Sequence, residues 1–448
     1  PPLSTILFLV LLLLVTGTCD NAPTGELLEN NPPSTFLTVG GINREGGFRL
    51  SSQINISWWG TDSDGYIVGY EYAINDTSDG SWTFTKKTDS TFILPIGLGL
   101  SLDDVLFKVR AIDDDGAVDA DGARLVFPIV NSEPTVSLNE TELPPDTLFS
   151  VASFGWNIGD PDGLGNILKT EIAINDTVNG WVEIPIPDDE DRLFISLQID
   201  NTSLGAKEAT VYQGRSYRRL PDISISGIEV GQDNTFFVRT TDNAGATSTV
   251  ESATWFVKPQ TSKTLIFNDV SGSNSSNQLA FHKNLLVQNG ISPDIWIIND
   301  GEVALDKVAL SKSFPAVIDP TLKQTLKAWD HIYWISNDID RNITYALDIT
   351  SEFFTEEGTM FVNIPMKGIS QSDPVFNFLP VDSIGVLRPG QSDYQINGRT
   401  DVQPQYTVAS GDTSDVVLRT RVRQTGIYPL KPISGSTPLY TLDFKIRT

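Results

Sequence analysis

The chain has 448 residues, 40% of them hydrophobic, which is enough for packed cores and excludes a wholly disordered polypeptide. It carries 57 acidic and 31 basic residues, a net charge of −26 dispersed along its length, which repels polyanions and argues against nucleic-acid binding. A single cysteine leaves no disulfide to staple a fold, so the cores are expected to hold by packing alone.

Ile6 to Val15 is an unbroken run of ten apolar residues. That is shorter than the roughly 20 needed to cross a bilayer and matches the apolar region of a signal peptide. The chain opens Pro1-Pro2, with no Met or basic residues before the run, as expected of a fragment at its start. Directly after the run, Val15-Thr16-Gly17-Thr18-Cys19-Asp20 places the sole cysteine just past the apolar stretch. This resembles a bacterial lipobox, although Thr18 stands where Gly or Ala is usual. The resemblance implies that residues 1–19 are a signal peptide, that Cys19 is acylated, and that a lipid anchor makes the membrane a partner. An extracytoplasmic place, at the outer membrane or cell surface, follows from the same reading. Residues 20–34 are polar with three prolines and read as a tether.

An internal repeat follows. Trp58-Trp59-Gly60-Thr61-Asp62-Ser63-Asp64-Gly65 is echoed by Trp156-Asn157-Ile158-Gly159-Asp160-Pro161-Asp162-Gly163. Ala73-Ile74-Asn75-Asp76-Thr77 recurs letter for letter as Ala173-Ile174-Asn175-Asp176-Thr177. Phe107-Lys108-Val109-Arg110-Ala111-Ile112-Asp113 corresponds to Phe236-Phe237-Val238-Arg239-Thr240-Thr241-Asp242, and each is followed by Gly-Ala. Phe107, Val109 and Ala111 alternate with Lys108 and Arg110, the period of a half-buried strand. Short strands bounded by Asp, Gly and Ser clusters predict a β-sandwich. The early Trp, the Gly69-Tyr70-Glu71-Tyr72 strand and the Val109-Arg110-Ala111 strand resemble fibronectin type III and related immunoglobulin-like modules. Two such all-β sandwiches are expected, over residues 35–132 and 133–259. The second carries an insertion near Asp188 to Pro221, including Tyr217-Arg218-Arg219, which reads as a long loop able to carry binding residues.

Three acidic clusters lie beside glycines: Asp62 with Asp64, Asp113 to Asp115, and Asp160 with Asp162. Two readings stand. Asp and Gly build tight turns, and Asp62, Asp64, Asp113, Asp115, Asp160 and Asp162 are also candidate ligands for a structural Ca²⁺, which takes six to eight oxygens. None has the spacing of an EF-hand loop.

After Pro259 the texture changes. Thr264 to Val270 reads as a buried strand, Asn277 to Gln288 as a helix stopped by Gly290, and Ile295 to Ile298 as a strand. Pro320 to Ala328 reads as a helix, His331 to Ser336 as a strand, Ile343 to Phe354 as a helix and Thr359 to Ile364 as a strand. Alternation of this kind predicts an α/β domain with a parallel sheet covered on both faces, over residues 262–448, with a β-rich end from 386. The Phe267-Asn268-Asp269 strand, the Trp329-Asp330-His331-Ile332-Tyr333-Trp334 strand and Phe353 to Val362 resemble a class I glutamine amidotransferase-like, flavodoxin-type domain. The resemblance implies a cysteine nucleophile, and no cysteine but Cys19 exists, so the domain is expected to be catalytically degenerate. Of the two histidines, His331 is expected to pack or cap beside its strand and His282 to lie on the surface of its helix. No zinc cluster, phosphate loop or Gly-x-Ser-x-Gly elbow is present, and no cofactor beyond the possible Ca²⁺ is expected. The expected role is adhesion, scaffolding or ligand binding, with a protein or glycan as partner. The alternatives are a secreted hydrolase, or hydrolase accessory, using acidic residues, and a structural component of a cell-envelope assembly.

Overall fold

The computed structural model describes residues 29–39, 52–187, 190–298, 320–339, 346–366 and 372–385, with short segments between 393 and 447. The apolar run and Cys19 lie outside the described residues. Two compact units are formed, Pro1–Ser132 with Pro161–Gly163, and Glu133–Asp160 with Leu164–Thr448.

In the first unit, β1 (Ser34–Val39), β2 (Gln53–Thr61) and β5 (Asp89–Ile93) form one sheet. The strands β4 (Thr83–Thr85), β3 (Ile67–Ile74), β6 (Leu102–Asp113) and β7 (Ala123–Val130) form the other. All pairings are antiparallel, and this division into three and four strands is that of a fibronectin type III-like sandwich. The alternation in β6 puts Val105, Phe107, Val109 and Ala111 inside, all fully buried. Trp58 is the centre of the core, with the rings of Phe92 and Phe107 at 6.1 and 6.2 Å.

The second sandwich repeats the plan with additions. One sheet holds β8 (Thr135–Leu138), β10 (Val151–Gly159), β13 (Arg192–Gln198), β14 (Gly205–Gln213) and β15 (Arg218–Val230). The other holds β9 (Thr147–Leu148), β11 (Ile167–Ile174), β12 (Val182–Ile184), β16 (Asp233–Asp242) and β17 (Glu251–Val257). Trp156 is buried as Trp58 is, and its ring lies 5.9 Å from Phe236, the counterpart of Phe107. The insertion is not a long loop. It is the hairpin β14–β15, which widens the sheet beyond β13. Pro221 and Gly227 interrupt the pattern of β15, and its register shifts twice against β14, so a strand of this length is masked in sequence.

The identical pentapeptides build identical corners. Asn75 and Asn175 both sit in the left-handed region, at φ 58° and 59°. The Oδ1 of Asn75 accepts from Leu106 N at 2.9 Å, and that of Asn175 from Thr235 N at 2.7 Å. Asn is the residue that tolerates this backbone and also supplies the acceptor. Each copy then places an arginine over the ring of its turn tryptophan, Arg110 over Trp82 at 3.9 Å and Arg239 over Trp181 at 4.1 Å.

Beyond the sandwiches, β18 (Thr264–Asp269), β19 (Asp294–Ile297), β20 (His331–Ser336) and β21 (Thr359–Asn363) form a parallel sheet in the order β19-β18-β20-β21. Every residue of β18 is buried, as a central parallel strand requires. Helix α1 (Ser275–Gln288) lays Leu279 and Leu286 on Ile266, Val270 and Ile335. The residues of α2 (Pro320–Leu326) and α3 (Ala346–Thr355) join Leu265, Phe267, Ile332 and Trp334 in another buried cluster. The described strands after residue 392 are short and antiparallel.

That cluster does not stop at the parallel sheet, because it runs on without a break into the second sandwich. Phe149, just before β10, packs edge-on against Trp329 at 4.7 Å and against Trp296 at 5.6 Å. Ser153 of β10 hydrogen-bonds Thr321 of α2. Lys258 donates to the Ile295 carbonyl at 2.6 Å, and burial holds its ammonium below the usual lysine range. The Asp294 carboxylate accepts from Thr261 N and Ser262 N at 3.1 Å and from the Trp329 indole at 2.9 Å. The connection between sandwich and sheet is thus tied by hydrogen bonds at Lys258, Thr261 and Ser262.

The corner asparagine gives a direct check. Asn175→Ala loses the acceptor and strains the left-handed backbone, so it is expected to cost about 2–3 kcal/mol, whereas Asn175→Gly keeps the backbone and costs about 1 kcal/mol. Equilibrium denaturation of the two variants measures the difference, and equal losses would refute the role of backbone strain.

Candidate functional site

Asp64 accepts from the backbone N and side-chain Nδ2 of Asn31, both at 3.0 Å, and these bonds hold its carboxyl below the usual range. Asp113 accepts from Asn30 Nδ2 at 2.8 Å, from Asp115 N at 3.0 Å and from Ala117 N at 2.8 Å. Burial opposes these bonds, but they prevail and its carboxyl is lowered. Asp62 is pushed upward, first by burial and then by the neighbouring Asp64 and Asp113 charges. The structure therefore brings Asp62, Asp64 and Asp113 together. Asp114 joins them, accepting from Tyr66 N at 2.8 Å. Gly65 allows this approach, since a Cβ there would lie 2.2 Å from Asp114 Oδ1 and 2.6 Å from Asp62 Oδ2.

Asp160 and Asp162 part company. Asp162 groups with the first unit, where it accepts from Ser132 N at 2.6 Å and Ser132 Oγ at 3.1 Å, and Asp160 belongs to the second. Asp242, the counterpart of Asp113, accepts from Ala246 N at 2.8 Å in a copy that has Asn243 in place of the second aspartate. An aspartate that closes this turn is thus common to both copies. Among the described residues, no group of three or more His, Cys, Asp or Glu side chains is arranged to hold a metal ion.

The hairpin of the second sandwich forms a concave site that the sequence marked only by Arg218. A cavity of about 450 Å³ opens there, lined by Glu142, Arg192, Phe194, Gln213, Arg215 and Arg218 among others. Glu142 is buried and forms ion pairs with Arg192, at 2.6 Å, and with Arg215. Asn139 Nδ2 donates to the same carboxylate at 3.0 Å. The carboxylate can lie this close to β10 because residue 155 is glycine, where a Cβ would meet Glu142 Oε2 at 2.2 Å. The Arg215 guanidinium lies over the Phe194 ring at 5.0 Å, and Arg218 bonds Gln213. Both guanidiniums on Glu142 remain about half exposed, so each keeps donors for solvent or a ligand. Tyr212 and Tyr217 stack at 3.8 Å beside them and stiffen the hairpin. The alternating Ile223-Ser224-Ile225-Ser226 is the one local trace of this strand in the sequence, and it covers only the middle of β15.

The parallel sheet places its histidines away from the edge where open sheets of this kind bind ligands, the C-terminal ends of the strands. His331 begins β20, is exposed, and contacts Thr359 Oγ1 at 2.6 Å. His282 is not on the surface as its helix position suggested. It is 8% exposed and its Nδ1 lies 3.1 Å from Tyr333 Oη. Leu279, His282 and Leu286 share one helix face, so the imidazole is carried to the sheet with the leucines. At the C-terminal edge, Ser271 N donates to Asn337 Oδ1 at 3.0 Å and Asn337 Nδ2 returns to the Ser271 carbonyl at 2.9 Å.

No protein-family model and no curated protein matches the chain. Solved structures with which it shares likeness include fibronectin(III)-like modules of Clostridium thermocellum CbhA, at 16% identity and a TM-score of 0.17 over 50% of this chain and 95% of that one. A 2,6-sialyltransferase of Photobacterium sp. JT-ISH-224 aligns at 12% identity and a TM-score of 0.17, over 49% of this chain and 40% of that one. Dimeric latent PorU from Porphyromonas gingivalis aligns at 14% identity and a TM-score of 0.16, over 50% and 29%. Scores this low carry no argument about function, and the sandwich assignment rests on the strand order above.

Burial lowers the His282 pKa below 6.5, so His282 stabilises the folded state above that pH and the contribution is lost as pH falls through the folded value. Titration of the two imidazoles by NMR is expected to show His282 below 6.5, and His282→Gln is expected to remove that part of the stability loss between neutral and mildly acidic pH. A His282 pKa at or above 6.5 would contradict its buried, uncharged state.

Proposed function

We propose that this chain is an exported surface protein, lipid-anchored through Cys19, that binds or spaces rather than catalyses. The observation that carries the anchor is the sole cysteine, Cys19, directly after the apolar run Ile6–Val15, and the continuous core joining the second sandwich to the parallel sheet supports the binding role. A body built in this way holds a recognition surface at a fixed geometry, and the arginine-lined cavity on the hairpin is such a surface. The partner class is a protein or a glycan at the cell exterior.

The parallel sheet is read as a degenerate relative of the class I glutamine amidotransferase-like domain. That chemistry needs a cysteine, and the only one in the chain is assigned to the anchor. The Asp-Gly loops are read as turn closures that also fasten Asn30 and Asn31 to the first sandwich, and Ca²⁺ is not assigned to them.

The test is metabolic labelling with palmitate in a bacterial host that processes lipoproteins, with the chain given an initiator methionine. Label is expected in the intact chain and absent from Cys19→Ser. Protease added to whole cells is expected to cleave the anchored form. Equal labelling of both chains would overturn the anchor, and protection from protease would overturn surface display.

A further inference from the structure

The first sandwich displays a feature that its own duplicate lacks. Phe36 of β1 and Trp59 of β2 are paired across the strands on the outer face of the β1–β2–β5 sheet. Their rings stack at 5.5 Å and 17°, yet they remain 43% and 46% exposed. The core does not use them, because the neighbouring Leu37 and Trp58 point inward.

The second copy supplies the control. There Trp156 pairs with Leu138 and Asn157 with Ser137, in the register in which Trp58 pairs with Leu37 and Trp59 with Phe36. Ser137 and Asn157 are both exposed. The same fold therefore forms with a polar pair at these two places, and the exposed aromatic pair is not a requirement of the sandwich. Two large apolar rings held in water by a position that tolerates Ser and Asn point to a ligand that covers them.

The surroundings select the ligand. The next outward residues on this face are Thr38, Ser57 and Asp89, then Asn55 and Thr91, in rows about 7 Å apart along the strands. Asn55 Nδ2 bonds Thr91 Oγ1 at 3.2 Å, so the row is a set of short, neutral hydrogen-bonding groups. None of the outward strand residues is basic. A protein partner of ordinary affinity needs a broad, well-packed patch of about 800 Å² a side, and here the apolar part is centred on two rings. Sugars suit the face better, since a pyranose has apolar C–H faces for the rings and equatorial hydroxyls for the amide and hydroxyl rows. Asp89 on the face, the lack of a basic residue among the described outward strand residues and the net charge of −26 disfavour acidic glycans.

We infer that the outer face of this sheet, centred on Phe36 and Trp59, is a binding platform for an uncharged polysaccharide. The inference rests on the reading of the chain as a surface binding protein and gives one class of its ligand. It is independent of the anchor, because it is tested on purified protein, so a failed palmitate label leaves it standing.

The experiment is affinity electrophoresis of the purified chain in gels containing a β-1,4-glucan, a xylan or a mannan, with polygalacturonate as the acidic control. The double variant Phe36→Ser/Trp59→Asn installs the pair that the second sandwich already carries, and Trp59→Ala is the second variant. Denaturation curves confirm that both fold. Retardation is expected with at least one neutral glycan and none with polygalacturonate. The double variant is expected to bind at least tenfold more weakly, and Val178→Ala, at an exposed apolar residue of the second sandwich, to bind as the parent does. Three results would overturn the proposal: no retardation by any neutral glycan, unchanged binding by the double variant, or self-association in sedimentation that the double variant abolishes without any glycan binding.

Discussion

The ring of Phe149 meets the indoles of Trp329 and Trp296 edge-on, and the second sandwich and the parallel sheet are organised about that contact. On the sheet side the ring contacts continue from Trp296 through Phe267 to Trp334, while Phe154, Trp255 and Phe236 form a ring set of their own in the sandwich core. Aromatic pairs of this geometry contribute beyond their buried area. The polar groups at the same joint are matched to one another: Asp294 to Thr261, Ser262 and Trp329, and Lys258 to a carbonyl. An apolar joint with its polar groups satisfied favours one docked arrangement over a sliding set.

The duplication shows which features a sandwich of this kind needs. The central tryptophan, the left-handed asparagine, the arginine over the turn tryptophan and the aspartate that closes the turn after the long strand are present in both copies. Even the buried indole N–H without a partner occurs in both, at Trp58 and Trp156. The copies differ in what they show to solvent. One carries a stacked aromatic pair where the other has Ser137 and Asn157, and the other carries a hairpin with an arginine-lined cavity. The duplicated skeleton is thus separable from the surfaces it carries.

Much of the skeleton was legible because it depends on local signals. The repeat stands out through Asn75 and Asn175, whose backbone few residues accept, and through the period of two in β6. The central parallel strand β18 reads as a nearly unbroken apolar run because both its faces are covered. What was not legible depends on pairing at a distance. The hairpin strand β15 is broken by Pro221 and Gly227 and is recognisable only beside β14. His282 looks polar and helical, and only its phase with Leu279 and Leu286 shows it to be buried. The acidic clusters left a turn and an ion reading open, and only the placement of residues 30 and 31 shows that Asn30 donates to Asp113 and Asn31 to Asp64. The joint at Phe149 brings together residues 149, 296 and 329, which no local pattern connects.

The central claim is that the second sandwich and the parallel sheet open as one body. Hydrogen exchange followed by mass spectrometry, over a series of denaturant concentrations below the unfolding transition, tests it directly. Peptides from β10 and β13 and peptides from β18 and β20 are predicted to open with the same free energy in the parent chain. In Phe149→Ala, the β18 and β20 peptides are predicted to open first. Separate opening free energies in the parent chain, unchanged by Phe149→Ala, would contradict the shared core.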